Sequence, residues 1–135
     1  MLDIDWKDVI GWDEAQVRDA RSIGYLYYKQ GAFDIAAKCF EALLTINPHA
    51  LYELQTLGAI YLEMNRPKEA LALFDRALAI QPNHEPTLFH RCKALLAIGD
   101  KTGALEIAHL LENSSDQILA KSARALLAAH MGSKV

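Results

Sequence analysis

The chain has 135 residues, a length typical of one domain, and its 52% hydrophobic and 23% charged residues are typical of a folded soluble protein. Its formal net charge of −3 argues against binding to nucleic acid, because a nucleic-acid-binding face needs an excess of lysine and arginine. No apolar run approaches the roughly 18 residues of a membrane-spanning helix, and residues 1–6 lack the features of a secretory signal peptide, so we expect a protein that stays in the cytoplasm.

A leader of residues 1–12 is followed by a series of helices separated by short turns. Asp13 is a predicted N-cap, because Gln16 stands three residues later at the spacing of a capping box. Gly31 ends the first helix, since glycine adopts the left-handed cap conformation without a steric cost. In chain order, the helices are expected at about residues 14–30, 33–46, 51–64, 68–80, 85–98, 101–112 and 116–130.

Proline and glycine mark the ends of the later helices. Pro48 and Pro82 each stop a helix, because proline disfavours helical backbone in the residue before it. Pro67 suits the first position of the next helix. Gly99 and Asp100 form a turn and a cap before the sixth helix.

Two stretches of the chain repeat each other at a spacing of 34 residues. Gly24, Tyr27, Ala36, Phe40, Leu44, Ile46 and Pro48 recur as Gly58, Tyr61, Ala70, Phe74, Leu78, Ile80 and Pro82. This period and pattern are typical of the tetratricopeptide repeat, a helix–turn–helix unit that stacks into a curved protein-binding surface. The third repeat is degenerate, because Cys92, Leu95 and Asp116 replace the repeated Gly, Tyr and Pro.

The predicted fold is therefore all-α: a tetratricopeptide-repeat superhelix of three helix–turn–helix repeats with an N-terminal leader and a C-terminal capping helix. We predict one domain over residues 1–135. Its parts are the leader 1–12, repeat 1 at 17–50, repeat 2 at 51–84, the degenerate repeat 3 at 85–118 and the capping helix at 119–131.

The first helix of each pair lines the concave face in tetratricopeptide arrays, and this rule predicts the residues of a groove. The predicted groove consists of Arg21, Tyr25, Tyr28, Tyr52, Gln55, Ala59, Leu62, Phe89, His90 and Lys93. Several of these side chains are more apolar than a solvated face requires, as is typical of a protein-binding surface. The alternative is that some of them pack against the leader or a second copy of the chain.

No pattern of catalytic or metal-binding residues stands out. The histidines lack a His-Glu-x-x-His or other metal-ligand spacing, and the chain has no glycine-rich phosphate loop. The two cysteines, Cys39 and Cys92, are expected to be small buried thiols. We therefore predict no enzyme activity, no metal and no cofactor.

Three segments resemble the tetratricopeptide chaperones of bacterial type III secretion systems, above all the class II kind that holds translocator proteins. Residues 24–36 match their first repeat and residues 57–61 match their second. The more specific stretch is residues 86–100, which contains a proline, then Phe89-His90, then a Leu-Leu pair and a glycine.

The resemblance implies that the protein keeps a secreted client soluble and unassembled before export by binding an extended, apolar segment of the client in the groove. It also implies a homodimer through the N-terminal region, where Trp6, Ile10 and Trp12 offer an apolar patch. A needle-subunit chaperone that works with a small helical co-chaperone, and a generic scaffold in a larger complex, are the alternatives.

Some tetratricopeptide proteins instead grip the C-terminal carboxylate of a partner through lysine, arginine and asparagine at fixed groove positions. Those positions are occupied here by Arg21, Tyr25, Thr56, Pro86 and His90. This set departs from the carboxylate clamp, so we do not expect binding to the tails of general heat-shock chaperones.

Overall fold

The computed structural model describes residues 11–131, and the part it describes consists of seven α-helices without a β-strand. The helices are α1 (Glu14–Lys29), α2 (Phe33–Ile46), α3 (Leu51–Glu63), α4 (Pro67–Ile80), α5 (Glu85–Ala97), α6 (Lys101–Leu111) and α7 (Gln117–Met131). Their bounds differ from the expected ones by no more than a few residues. The predicted leader lies mostly outside the described residues, as do Trp6 and Ile10.

The helices pack as successive antiparallel pairs, α1 with α2, α3 with α4 and α5 with α6. Each second helix also packs against the first helix of the following pair, and α7 closes the array against α6 and α5. The first helices α3 and α5 also contact each other directly. This arrangement confirms the predicted all-α tetratricopeptide superhelix and places the first helices side by side.

Local sequence signals account for the helix ends. The Asp13 carboxylate accepts a hydrogen bond from the Gln16 amide at 2.8 Å, and the Gln16 side chain accepts one from the Asp13 amide at 3.0 Å, which completes the predicted capping box. Gly31 has a φ of 81°, as its place after α1 requires. Asn65 takes the same left-handed conformation before Pro67 opens α4.

The 34-residue repeat maps onto the core. The small residues Ala36, Ala70 and Ala104 are completely buried where paired helices approach each other. Phe40 and Phe74, the repeated aromatics, are also completely buried. The predicted structural role of these repeat positions is therefore confirmed.

A second core cluster holds the last pair of helices and α7 together. Cys92 is buried there and its thiol donates a hydrogen bond to the Ala104 carbonyl at 3.1 Å. Ala123 and Leu127 of α7 complete this cluster, so α7 covers the final apolar face as a capping helix does.

The expectation of two buried thiols was wrong for Cys39, which is only half-buried beside Gly24.

Candidate functional site

Two adjoining depressions lie on the face formed by α1, α3 and α5, and we call them together the groove. The first is lined by Tyr25, Tyr28, Tyr52, Gln55, Thr56, Ala59 and His90. The second is lined by Tyr28, Ala59, Leu62, Glu63, His90, Lys93 and Ala97. The shared residues Tyr28, Ala59 and His90 come from all three helices, so the groove depends on the stacking of three successive pairs.

Tyrosine rings form one end of the groove. Tyr25 and Tyr28 meet edge to face with their ring centroids 6.0 Å apart, and Tyr28 in turn packs 6.1 Å from Phe33. Tyr52 packs 6.3 Å from the buried ring of Phe40. Tyr25 and Tyr52 nevertheless remain 39% and 42% exposed. Because neighbouring rings support them, they present rigid apolar surface that loses little side-chain freedom on binding.

Cationic side chains lie over aromatic rings along the groove. Arg21 lies over Tyr52 at 5.6 Å from the ring centroid, and Lys29 lies over Tyr25 at 5.7 Å. These distances are within the range of cation–π attraction, which helps to hold the ring and the cation in place. Positive charge therefore lies beside two of the tyrosines of the groove.

An ion pair joins the first two repeats at the edge of the groove. The Arg21 guanidinium donates a hydrogen bond to the carboxylate of Glu53, which is only 3% exposed. A buried carboxylate needs such a partner, since an unpaired buried charge is strongly unfavourable. Arg21 also lines a separate depression with Glu14, Val17, Arg18, Ile46 and Asn47. The pair therefore fixes α1 to α3 beside Tyr52.

His90 lies at the junction of the two depressions. Its Nδ1 is 2.8 Å from the Pro86 carbonyl oxygen, and its ring centroid is 5.9 Å from that of Phe74 and 6.4 Å from that of Phe89. Burial lowers the pKa of His90, and the positive charge of Lys93 acts in the same direction. The imidazole is therefore held neutral at physiological pH.

Burial also raises the pKa of Tyr28, with the Glu63 carboxylate acting in the same direction, and it raises the pKa of Tyr52. Both phenols therefore stay protonated and serve as hydrogen-bond donors and apolar walls. Aromatic, amide and imidazole groups of this kind can contact apolar side chains and hydrogen-bond to a peptide backbone.

The structure brings most of the predicted groove residues together. Tyr25, Tyr28, Tyr52, Gln55, Ala59, Leu62, His90 and Lys93 all line the two depressions. Arg21 stands at the rim over Tyr52. Phe89 lines neither depression, because it packs against the second core cluster beneath the Lys93 ammonium. That these residues bind a client stays a prediction.

Three further residues complete the lining, namely Thr56, Glu63 and Ala97. The rule that first helices line the concave face also points to Thr56 and Glu63. Ala97 was missed, although its helical spacing is a signal, since it follows Lys93 by four residues. Glu53 was also missed. No local pattern marks it, because its partner Arg21 stands 32 residues earlier in the chain.

Models of the tetratricopeptide repeat match residues 22–49 and residues 52–84. These ranges correspond to α1–α2 and α3–α4, the two pairs in which the sequence repeats itself. Residues 22–49 and residues 52–84 of the chain are tetratricopeptide repeats. The boundaries that the sequence predicts for three repeats, 17–50, 51–84 and 85–118, stay predictions.

Solved structures of type III secretion chaperones have the same fold, and the resemblance noted in the sequence is thereby confirmed. PcrH in complex with the chaperone binding region of PopD is 25% identical to this repeat protein, with a TM-score of 0.82 over 93% of this chain and 98% of that chain. SycD of Yersinia enterocolitica in complex with a peptide of the translocator YopD is 20% identical, with a TM-score of 0.81 over 91% of this chain and 98% of that chain.

Curated relatives found by sequence are longer proteins. The peroxisomal targeting signal receptor of Candida glabrata is 33% identical over 89 residues, which are 66% of this chain and 15% of the receptor. The match therefore spans only a small part of that receptor's length. It supports the repeat fold.

Between residues 11 and 131, none of the helices combines the length and the apolar character needed to cross a bilayer. Across these residues there is also no cluster of three or more His, Cys, Asp or Glu side chains that could hold a metal ion. The solved structures described above are of secretion chaperones rather than of enzymes.

Proposed function

We propose that this protein is a bacterial cytoplasmic chaperone that holds an extended, apolar segment of a type III secretion translocator in its groove. By doing so it keeps the translocator soluble and unassembled until export. The observation that carries the proposal is a groove of exposed, rigid aromatic side chains on the fold that PcrH and SycD use with PopD and YopD peptides bound. A binding role, not catalysis, accounts for these residues.

The energetics of the groove suit a client that is disordered before it binds. Ordering a flexible segment opposes binding, so the segment needs apolar anchors that each contribute favourable burial. Full burial of one large apolar side chain contributes roughly 1.5–3 kcal/mol. Two adjoining depressions that share Ala59 and His90 would accept anchors placed close together on one extended segment.

Titration calorimetry with a synthetic peptide of the PopD chaperone binding region tests the proposal. We expect the wild-type protein to bind this peptide and Tyr52→Glu to weaken binding by more than tenfold, because a charge would replace an aromatic anchor of the first depression. Tyr52 is preferable to Phe89 for this test, since Phe89 packs against the core.

Ile118→Glu is the matched control, because Ile118 is a highly exposed apolar residue on α7, away from the groove. It should bind as the wild type does. Equal affinity of the wild type and Tyr52→Glu would contradict the assignment of the groove. Circular dichroism of the bound peptide distinguishes the alternatives, since a gain of helix would indicate a needle-subunit chaperone.

A further inference from the structure

The hydrogen bond between His90 and Pro86 fixes the tautomer of the imidazole. The Pro86 carbonyl oxygen has no proton and can only accept, so the Nδ1 atom 2.8 Å away must carry the proton and donate it. A neutral imidazole carries one ring proton. The other nitrogen, Nε2, therefore has a free lone pair and is an acceptor.

The Nε2 atom of His90 is not buried. Within residues 11–131, Nδ1 is the nitrogen of His90 that has a protein partner, and no buried side-chain nitrogen or oxygen is left without one. Nε2 therefore has exposed surface. Because His90 lines both depressions, its ring is available to a peptide that passes from one to the other.

The surroundings keep the ring in place and uncharged. Phe74 and Phe89 pack against it and limit its rotation. The charged and titratable groups that face it are Lys93 on its own helix, Glu63 on α3 and Tyr28 on α1. Burial lowers the pKa of His90 and outweighs the hydrogen bond to Pro86, which raises it; Lys93 lowers the pKa and Glu63 raises it, and the net lowering favours the neutral acceptor form at pH 7.

We propose that Nε2 of His90 accepts a hydrogen bond from a backbone N–H of the client segment, at the point where the segment passes from one depression to the other. The proposal rests on the proposed function, because it needs an extended peptide in the groove. An extended segment has unpaired backbone N–H groups. Proline lacks this donor, so His90 excludes proline from one position between the anchors while accepting any other side chain there.

The tautomer is tested on the free protein by long-range nitrogen–proton NMR correlation of its histidine side chains. We expect the His90 spectrum to show a protonated Nδ1 and an unprotonated Nε2 at pH 7.5, and His90→Gln identifies the signals. A protonated Nε2 would overturn the inference. This measurement needs no peptide and is independent of the proposed function.

The hydrogen bond to the client is tested with PopD peptides that are N-methylated at one backbone position at a time. One position between the anchors should lose about two- to tenfold in affinity for the wild type, the range of a single neutral hydrogen bond. His90→Phe keeps a ring but has no acceptor. This variant should bind the peptide methylated at that position as tightly as it binds the unmethylated peptide. His49→Phe, on an exposed histidine outside the groove, should behave as the wild type does.

This inference alone would be overturned if N-methylation at every position reduced the affinity of the wild type and of His90→Phe by the same factor. A wild-type protein that binds none of the peptides, methylated or not, would overturn the proposed function and this inference with it.

Discussion

The ring of Phe74 packs so closely on Gly58 that a Cβ atom at residue 58 would lie 2.3 Å from the Cε1 atom of the ring. The equivalent pair one repeat earlier is less tight, since a Cβ on Gly24 would lie 3.0 Å from the Cε2 atom of Phe40. The glycine of the repeat is therefore needed for helix contact inside each pair, and the second pair needs it most.

Gly58→Ala should lower the free energy of unfolding by about 1–3 kcal/mol, because the methyl group would overpack a buried contact. This loss exceeds the gain of up to about 1 kcal/mol that alanine brings to a helix interior. Urea unfolding followed by circular dichroism measures the change, and Gly24→Ala should cost less. A Gly58→Ala variant as stable as the wild type would contradict the packing.

Arg21→Met should destabilise the protein by about 1–3 kcal/mol, because it leaves the Glu53 carboxylate buried without its partner. The loss stays below that of a fully buried pair, since Arg21 is 38% exposed and solvent screens its charge. Adding Glu53→Gln to Arg21→Met should recover part of the loss in a double-mutant cycle. If the effects of the two substitutions on the free energy of unfolding were additive, Arg21 and Glu53 would not be coupled.

Stability should fall as the pH is lowered from 7, in part because of His90. Burial lowers its folded-state pKa below the value of about 6.5 that it has when unfolded. Below pH 6.5 the unfolded chain binds a proton that the folded chain does not, so the free energy of unfolding decreases until the pH passes the folded pKa.

The control for this pH dependence is His90→Asn, whose amide can still donate to the Pro86 carbonyl but does not titrate. Its unfolding free energy should depend less steeply on pH than that of the wild type below about pH 6.5. Identical slopes in urea titrations of both proteins would rule out a lowered pKa for His90.

We expect a homodimer that depends on the N-terminal region. Ile23 and Leu26 on α1 are 51% and 59% exposed and offer an apolar surface to a second copy of the chain. Trp12 packs partly against the core formed by the first two helix pairs, so it should be retained in a deletion. Light scattering should show a dimer for the full chain and a monomer after deletion of residues 1–10. One mass for both proteins would contradict the prediction.

The sequence predicts the fold well because the residues that pack one helix pair recur at equivalent positions in the next. A glycine, an alanine and a phenylalanine at a fixed spacing define one helix pair, and their recurrence after 34 residues defines the stacking. Capping signals such as the box at Asp13 then place the helix ends. The exposure of Cys39 could not be predicted this way, because it depends on how closely α1 covers α2 at Gly24.

The site is less predictable because a helix position does not determine what a side chain contacts. Phe89 and His90 are neighbours in the sequence, yet His90 lines the groove while Phe89 packs against the core. The pairing of Arg21 with Glu53 joins two repeats and has no counterpart in the repeat pattern. Such contacts depend on the tilt of one pair against the next.

Photo-crosslinking tests the central claim most directly. A benzophenone amino acid replaces Gln55 in the groove or, as the control, the exposed Lys38 on α2, and the protein is irradiated with a fluorescently labelled PopD chaperone-binding peptide. We predict a labelled cross-link from position 55 that an excess of unlabelled peptide suppresses, and none from position 38. A cross-link from position 38 with none from position 55 would contradict binding in the groove.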